Sequence, residues 1–144
     1  MKMKQLTAGM IALVMSMSLP MTTYAADWDL EDGSITVDAG DSGQTVTQGS
    51  TSTPDEAPVI TQRDSSAETS NTITINASEN ATANVTIKDI NIKSSNDAID
   101  VTGSSSANIT LEGDNKIFSE TGSALHISDG NVTINGSGSL KAEI

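Results

Sequence analysis

Carboxylates are the most numerous chemically active side chains in this 144-residue chain, which has 19 aspartates and glutamates. Four of them fall in turns or near the ends of predicted strands and are candidate calcium ligands: Asp89, Asp97, Asp100 and Asp114. Calcium takes about six to eight oxygen ligands, so neighbouring segments would have to bring several of these groups together. The EF-hand loop is absent, and aspartates in turns often hydrogen-bond only their own backbone. Calcium is the one cofactor that this pattern suggests.

The chain has one histidine, His126, which follows Asp100 by 26 residues and occupies the same place in a repeated segment. A carboxylate beside an imidazole can transfer protons. Catalysis would also need a nucleophile or a second base, and a solvent-facing His and Asp are more often a simple pair on neighbouring strands. The sequence therefore predicts no catalytic residue and no enzymatic activity.

Asparagine and threonine recur at fixed places in a short cassette. The letters A-N-V-T-I at 83–87 return as A-N-I-T-L at 107–111 and as G-N-V-T-I at 130–134. Aligning the cassettes predicts two columns of outward side chains, and these are the candidate ligand-binding residues: Asn84, Asn108, Asn131, Thr86, Thr110 and Thr133. Their amides and hydroxyls can bind sugar hydroxyls, but such columns are also what a regular outer β-face carries.

The elements that must position these side chains are short strands. The cassettes begin 24 and 23 residues apart, and two other apolar segments keep step with them, one at Ile92, Ile117 and Leu140 and one at 72–75, 98–101 and 124–127. Successive residues of a strand face opposite sides, so the aliphatic residues point inward. The pattern predicts an all-β fold over residues 71–144: a right-handed parallel β-helix, which is a solenoid with three strands and about 23–26 residues per turn.

The carboxy-terminal end of this solenoid is predicted to be open. Aligning Gly136 with Gly113 and Leu140 with Ile117 puts Ile144 before the third strand of its turn. Stacked turns bury their core only against neighbours, so an uncovered turn exposes strand edges and aliphatic side chains. We therefore expect a truncated solenoid that stacks on further β-helix turns or is completed by another molecule.

The segments before the repeats predict export. Lys2 and Lys4, an apolar run over 8–19 and a small-residue site ending at Ala25 predict a signal peptide over 1–25, with no transmembrane segment after cleavage. Residues 26–70 are expected to form an amino-terminal cap and an irregular first turn, with a disordered stalk as the alternative. Residues 26–144 have five cations against 19 acidic residues, a net charge of −14, which excludes nucleic acid as a partner. The absence of cysteine in an exported chain favours a bacterial origin.

The phrases A-N-V-T-I-K-D-I-N-I-K, L-E-G-D-N and I-N-G-S-G-S-L carry a family resemblance over about residues 71–142. This stretch resembles the pectate-lyase-like parallel β-helix domains of carbohydrate-binding-domain-containing surface proteins from anaerobic bacteria. The resemblance implies a secreted or cell-surface protein that binds plant or host polysaccharide, in some members with calcium in an acidic groove.

The expected function is thus a surface-associated module that binds a pectic or cellulosic polysaccharide, or acts as an adhesin, without catalysis. Two alternatives stay open. One is a purely structural repeat or stalk of a larger surface protein. The other is a fragment of a polysaccharide-lyase-like enzyme, which would need clustered cations, whereas Lys88, Lys93 and Lys116 look scattered along the sequence.

Overall fold

A computed structural model describes residues 26–103 and 106–144 of the chain; the predicted signal peptide lies outside the described residues. Strands make up 61% of the described residues and helix 3%, so the fold is all-β, as predicted. No helix of the described residues is long and apolar enough to cross a membrane. The helix in this region is a single 3-10 turn, Leu30–Asp32.

The first part of the described chain forms five strands: β1 (Asp27–Asp29), β2 (Ile35–Gly40), β3 (Gly43–Gln48), β4 (Thr51–Pro54) and β5 (Val59–Thr61). Strands β2, β3 and β4 form an antiparallel meander, whereas β1 and β5 run parallel to each other. The alternating segments S-I-T-V at 34–37 and P-V-I-T at 58–61 supply the first residues of β2 and the whole of β5.

Nine strands follow in three turns of three. They are β6 (Ile73–Ala77), β7 (Thr82–Lys88) and β8 (Asn91–Ser94); β9 (Ile99–Gly103), β10 (Ser106–Glu112) and β11 (Asp114–Ser119); and β12 (Leu125–Ile127), β13 (Asn131–Gly136) and β14 (Ser139–Glu143). Equivalent strands pair in parallel from one turn to the next. The predicted parallel β-solenoid with three strands per turn is therefore confirmed.

Pairing produces three sheets. Sheet A has the order β1-β5-β7-β10-β13, sheet B the order β12-β9-β6-β2-β3-β4, and sheet C the order β14-β11-β8. The inward aliphatic side chains of the first two turns meet between the sheets, and Ile73, Ile87, Ile99 and Ile109 are at most 2% exposed. Burying one such side chain stabilises the fold by roughly 1.5–3 kcal/mol. The alternation read from the sequence thus produces the core.

The third repeat pairs two residues away from the predicted register. Thr133 lies opposite Asn108 and Asn135 opposite Thr110, while Asn131 lies opposite Ser106. The prediction that Asn131 and Thr133 continue the asparagine and threonine columns is therefore wrong. The same shift puts Leu140 opposite Asn115 instead of Ile117. Because the shift is by two residues, every side chain keeps its inward or outward direction.

The corner before β13 explains this shift. Strand β12 pairs with β9 up to Ile127 and Val101, and the Ser128 amide donates to the Val101 carbonyl at 3.1 Å. In the predicted register Asp129 would lie opposite Ser106, the first residue of β10. Ser128 alone would then have to connect β12 to β13, although its amide still takes part in the hydrogen bonding between β12 and β9. The chain therefore needs the longer connection that the observed register provides. This need outweighs the sequence similarity between the cassettes in setting the register.

Side-chain amides close the amino-terminal end of the stack. Strand β5 pairs with only part of β7, and the buried side chain of Gln44 bonds to the β7 backbone beyond that part. Its Oε1 accepts from the Asn84 amide at 2.8 Å and its Nε2 donates to the Asn84 carbonyl at 2.9 Å. Gln62 has a related role beside β8: its Oε1 accepts from the Asn91 amide at 2.7 Å, while its Nε2 donates to the Asp64 and Ala67 carbonyls. Such pairing satisfies edge groups that would otherwise be open to another strand.

The opposite end of the stack has no such covering among the described residues. Strands β12, β13 and β14 each pair on one side within the solenoid. Ile127 is 44% exposed and Ile134 is 41% exposed, although both point in the core direction. The two ends of the described stack therefore differ: amide side chains satisfy the first edge, and the last edge presents free backbone and aliphatic groups.

Candidate functional site

The predicted sugar-binding columns lie on the outward face of sheet A. Asn108 donates its side-chain amide to Asn84 Oδ1 at 3.1 Å, and Thr110 donates to Asn135 Oδ1 at 3.2 Å. Asn84 and Asn108 thus form the predicted ladder over two turns. These groups bond to one another and fix the register of adjacent turns, so part of their capacity to bind a ligand is already used.

The four predicted calcium ligands separate into two pairs. Asp89 and Asp114 lie at the corner between sheets A and C, where Asp89 Oδ1 accepts from the Asp114 amide at 3.1 Å. Asp114 Oδ1 in turn accepts from the Ser139 hydroxyl at 3.0 Å. Asp89 also has a positive φ of 51°. This pair therefore serves the corner geometry, in the way that turn aspartates commonly do.

The other pair, Asp97 and Asp100, meets His126 where β9 and β12 lie side by side. His126 Nδ1 is 2.8 Å from Asp100 Oδ1 and 3.6 Å from Asp97 Oδ2. The hydrogen bond to Asp100 raises the pKa of His126, and the negative charges of Asp100 and Asp97 add to this effect. The structure confirms that Asp100 and His126 are direct cross-strand neighbours.

Asp97, Asp100 and His126 form the one group of metal-ligating side chains found in residues 26–103 and 106–144. Two carboxylates and an imidazole do not match the preference of calcium for six or more oxygen ligands. An imidazole nitrogen with carboxylate oxygens is the donor set of zinc and related transition metals. The donor chemistry of this group therefore does not fit calcium.

Lysines that are dispersed in the sequence meet on the outward face of sheet C. Lys116 lies opposite Lys141 on β14, and Lys93 lies opposite Phe118 on β11. Lys88 lies on sheet A instead. The prediction of scattered cations is thus wrong for this face. The spacing of Lys93, Lys116 and Lys141 by 23 and 25 residues matches the repeat length, and this is the signal that could have revealed the cluster.

Lys93 and Lys116 border a shallow groove of about 180 Å³, which we call the sheet C groove; it is lined by Glu68, Asn91, Ile92, Lys93, Lys116, Ile117, Phe118 and Glu143. Phe118 is partly exposed, and Lys93 Nζ lies 5.8 Å from the centroid of its ring. Lys93 Nζ is also 3.9 Å from Glu68 Oε2. The groove therefore combines a partly exposed aromatic ring with ammonium groups from two successive turns and the carboxylates of Glu68 and Glu143.

The lysine charges on the outward face of sheet C are unevenly neutralised. Lys141 Nζ has a carboxylate partner, Glu143 Oε1, at 3.4 Å. Lys116 lies directly opposite Lys141, and like charges opposite each other on neighbouring strands repel. Three of the five cations of residues 26–144 lie on this face of a strongly acidic chain. An anionic group bound between Lys116 and Lys141 would relieve their repulsion.

Comparison with known proteins adds no relative: no protein-family model, curated protein or solved structure matches the chain. What is known of its class is therefore the β-solenoid fold itself. Fold alone does not identify a function, so a function has to be argued from the side chains that the fold brings together.

Proposed function

We propose that this protein is a non-catalytic, polysaccharide-binding or adhesive module of the bacterial cell surface, and that the sheet C groove holds the glycan. The observation that carries the proposal is the position of the partly exposed Phe118 ring beside Lys93, two residues along β11 from Lys116, which lies opposite Lys141. The predicted signal peptide and the resemblance to carbohydrate-binding surface proteins support export and this ligand class.

The chemistry of the groove suits a glycan with acidic sugars. The face of an aromatic ring packs against the C–H groups of a pyranose, and ammonium groups donate to hydroxyls and carboxylates. Neighbouring strands are about 4.8 Å apart, so a chain lying across β8, β11 and β14 can reach a charged side chain on each turn. We therefore favour a pectic, uronate-bearing polymer over neutral cellulose.

Overall charge works against such a ligand. Residues 26–144 carry a net charge of −14 and repel a polyanion at long range. Binding then depends on the local lysines, since they are the groups that offset this repulsion at the groove. Moderate salt should screen both the long-range repulsion and the attraction of the local lysines. Because the attraction is weakened as well, we expect a modest affinity.

A lyase is not what we propose. Such an enzyme would need an additional cation and a base placed against the substrate. The single arginine of the chain, Arg63, lies just after β5, where its Nη1 is 3.3 Å from Asp29 Oδ2. The sheet C lysines have no arginine beside them, and this favours binding over turnover.

A structural stalk is the second candidate, and the difference between the two ends of the stack favours it. Gln44 and Gln62 close the first edge, whereas Ile127 and Ile134 of the last layer are partly exposed. A further parallel turn laid on β12, β13 and β14 would bury these side chains and pair their backbones. In this case the protein would serve to extend or support a surface structure.

The deciding experiment measures binding of residues 26–144 to polygalacturonate, methyl-esterified pectin and cellulose, with calcium and with a chelator. Lys116→Gln removes one ammonium from the groove, and Lys88→Gln is the matched control on sheet A. A hydrogen bond to a charged group contributes roughly 1.5–3 kcal/mol, so we expect Lys116→Gln to weaken binding about tenfold or more and Lys88→Gln to leave it unchanged.

Other results would contradict the proposal in different ways. Retention on none of the polymers would reject glycan binding and leave the structural candidate. Equal losses in Lys116→Gln and Lys88→Gln would mean that general charge, not the groove, attracts the polymer. Binding to cellulose alone, with no loss in Lys116→Gln, would keep a glycan-binding function but reject the preference for acidic sugars.

A further inference from the structure

A second site of chemical interest lies on sheet B, away from the sheet C groove. Asp97 and Asp100 belong to the turn that contains β9, and His126 belongs to β12 in the last described layer. One ligand atom from each residue can be chosen so that all three lie within 4.8 Å of one another. The three side chains are partly buried, so they remain accessible from solvent.

These separations suit a single metal ion. A zinc ion binds nitrogen and oxygen ligands at about 2.0–2.2 Å, which places the ligand atoms of a tetrahedral site roughly 3.4 Å apart. His126 Nδ1 is already 3.6 Å from Asp97 Oδ2. Its shorter 2.8 Å separation from Asp100 Oδ1 is a hydrogen bond that an ion would replace. Only small side-chain rotations are needed.

The surroundings hold Asp97 in place for this role. Its Oδ1 accepts from the Ser123 amide at 2.6 Å, while Oδ2 faces His126. Gly122 leaves the space that the carboxylate occupies, because a Cβ at residue 122 would lie 2.5 Å from Asp97 Oδ1. An outer hydrogen bond that orients a ligating group is a common feature of metal sites.

The charge balance also favours a divalent ion. Two carboxylates facing one imidazole leave a net negative charge whether or not the ring is protonated. A divalent ion with two carboxylates and a neutral imidazole is neutral, and water can fill a fourth position on the exposed side. The imidazole distinguishes this group from a simple acidic cluster, since it selects metals that accept nitrogen ligands.

We propose that Asp97, Asp100 and His126 bind a zinc-like divalent transition-metal ion that links β12 to β9. The ion would connect the last described layer, which is the least covered part of the stack, to the turn before it. Its main effect would be on stability, because binding to the folded state alone shifts the unfolding equilibrium. This proposal does not depend on glycan binding.

The test is titration of residues 26–144, freed of metal by a chelator and then dialysed, with Zn²⁺ alone. Calorimetry should give one Zn²⁺ per chain. At a free Zn²⁺ concentration of about 100 times Kd, Tm should rise by roughly 8–14 °C. His126→Gln and Asp97→Asn should each lose the calorimetric signal and the rise, measured against the same variant without metal, while Glu120→Gln on the exposed surface should behave like the unchanged protein.

Several results would overturn the proposal. Absence of a calorimetric signal and of a Tm rise in the unchanged protein would reject the site. A rise of equal size in His126→Gln would mean that Zn²⁺ binds elsewhere. An equal rise with Ca²⁺ would reject the transition-metal preference, because calcium does not select the imidazole nitrogen.

Discussion

Asn115 is a buried amide that hydrogen-bonds to the turns that carry sheet C, and its replacement by alanine is the sharpest test of this packing. The side chain lies inside the solenoid one residue before Lys116 and is 1% exposed. Its Oδ1 accepts from the Ile90 amide at 3.1 Å, and its Nδ2 donates to the carbonyls of Glu112 and Ser139 at 3.0 Å each. It thus joins three consecutive turns.

The expected cost follows from these three bonds. Asn115→Ala leaves the Ile90 amide without a partner in the core, at a cost of about 1–3 kcal/mol. Each of the two carbonyls loses a bond that contributes about 0.5–1.5 kcal/mol. The expected loss in the free energy of unfolding is therefore about 4 kcal/mol, a large part of the roughly 5–15 kcal/mol available to a typical domain.

Denaturant unfolding followed by far-UV circular dichroism measures this loss. Asn76→Ala is the matched control, because Asn76 is also a strand asparagine with side-chain partners, Asp38 and Thr102, but it faces solvent. We expect the control to lose no more than about 1 kcal/mol. If the two variants were destabilised equally, or if Asn115→Ala lost less than about 1 kcal/mol, the described role of the buried amide would be refuted.

Two further predictions concern the sheet B side of the solenoid. With metal removed, His126→Gln should lower Tm most at low pH. The raised pKa of His126 means that the protonated ring is stabilised in the folded state. Its contribution to stability is therefore full below the ordinary pKa of 6.5 and is lost as pH rises through the raised pKa of the folded state. A pH series of Tm for both proteins tests this, and a difference that grows with pH would contradict it. Gly103→Ala should cost about 3 kcal/mol or more, because Gly103 has φ +97° and an added Cβ would overlap the Ala77 carbonyl. Gly49→Ala, at φ +60° with nothing within 4 Å, should cost only about 1 kcal/mol in the same unfolding assay, and equal costs would show that the close approach at Gly103 does not matter.

The sequence was sufficient to predict the strands of the repeated region. Alternation of aliphatic and polar residues at a repeat of about 24 residues predicted three strands per turn, their parallel stacking and the inward direction of residues such as Ile87 and Ile109. This works because strand side chains alternate by a local rule, and a solenoid turn contacts mainly its neighbours. The pairing of Asp100 with His126 followed from the same rule.

The register of the third repeat could not be predicted from the sequence pattern. Similar letters at 107–111 and 130–134 suggested one alignment, but the number of residues needed to turn the corner after Ile127 imposed another. A pattern of period two cannot distinguish registers that differ by two residues, because both keep the same faces. The asparagine and threonine columns were therefore predicted correctly only for the first two turns.

Local sequence determined which residues form strands and which side of each strand faces the core, since both depend on neighbours along the chain. The repeat period predicted some outward neighbours, such as Asp100 and His126, but only the tertiary structure decided the others. Stacking brought Lys93, Lys116 and Lys141 onto one face with Phe118, and it placed Asp97 beside His126 while separating both from Asp89. These contacts join residues of different turns, 23 to 29 positions apart in the sequence, so corner lengths and strand register decide which of the side chains suggested by the repeat period come into contact.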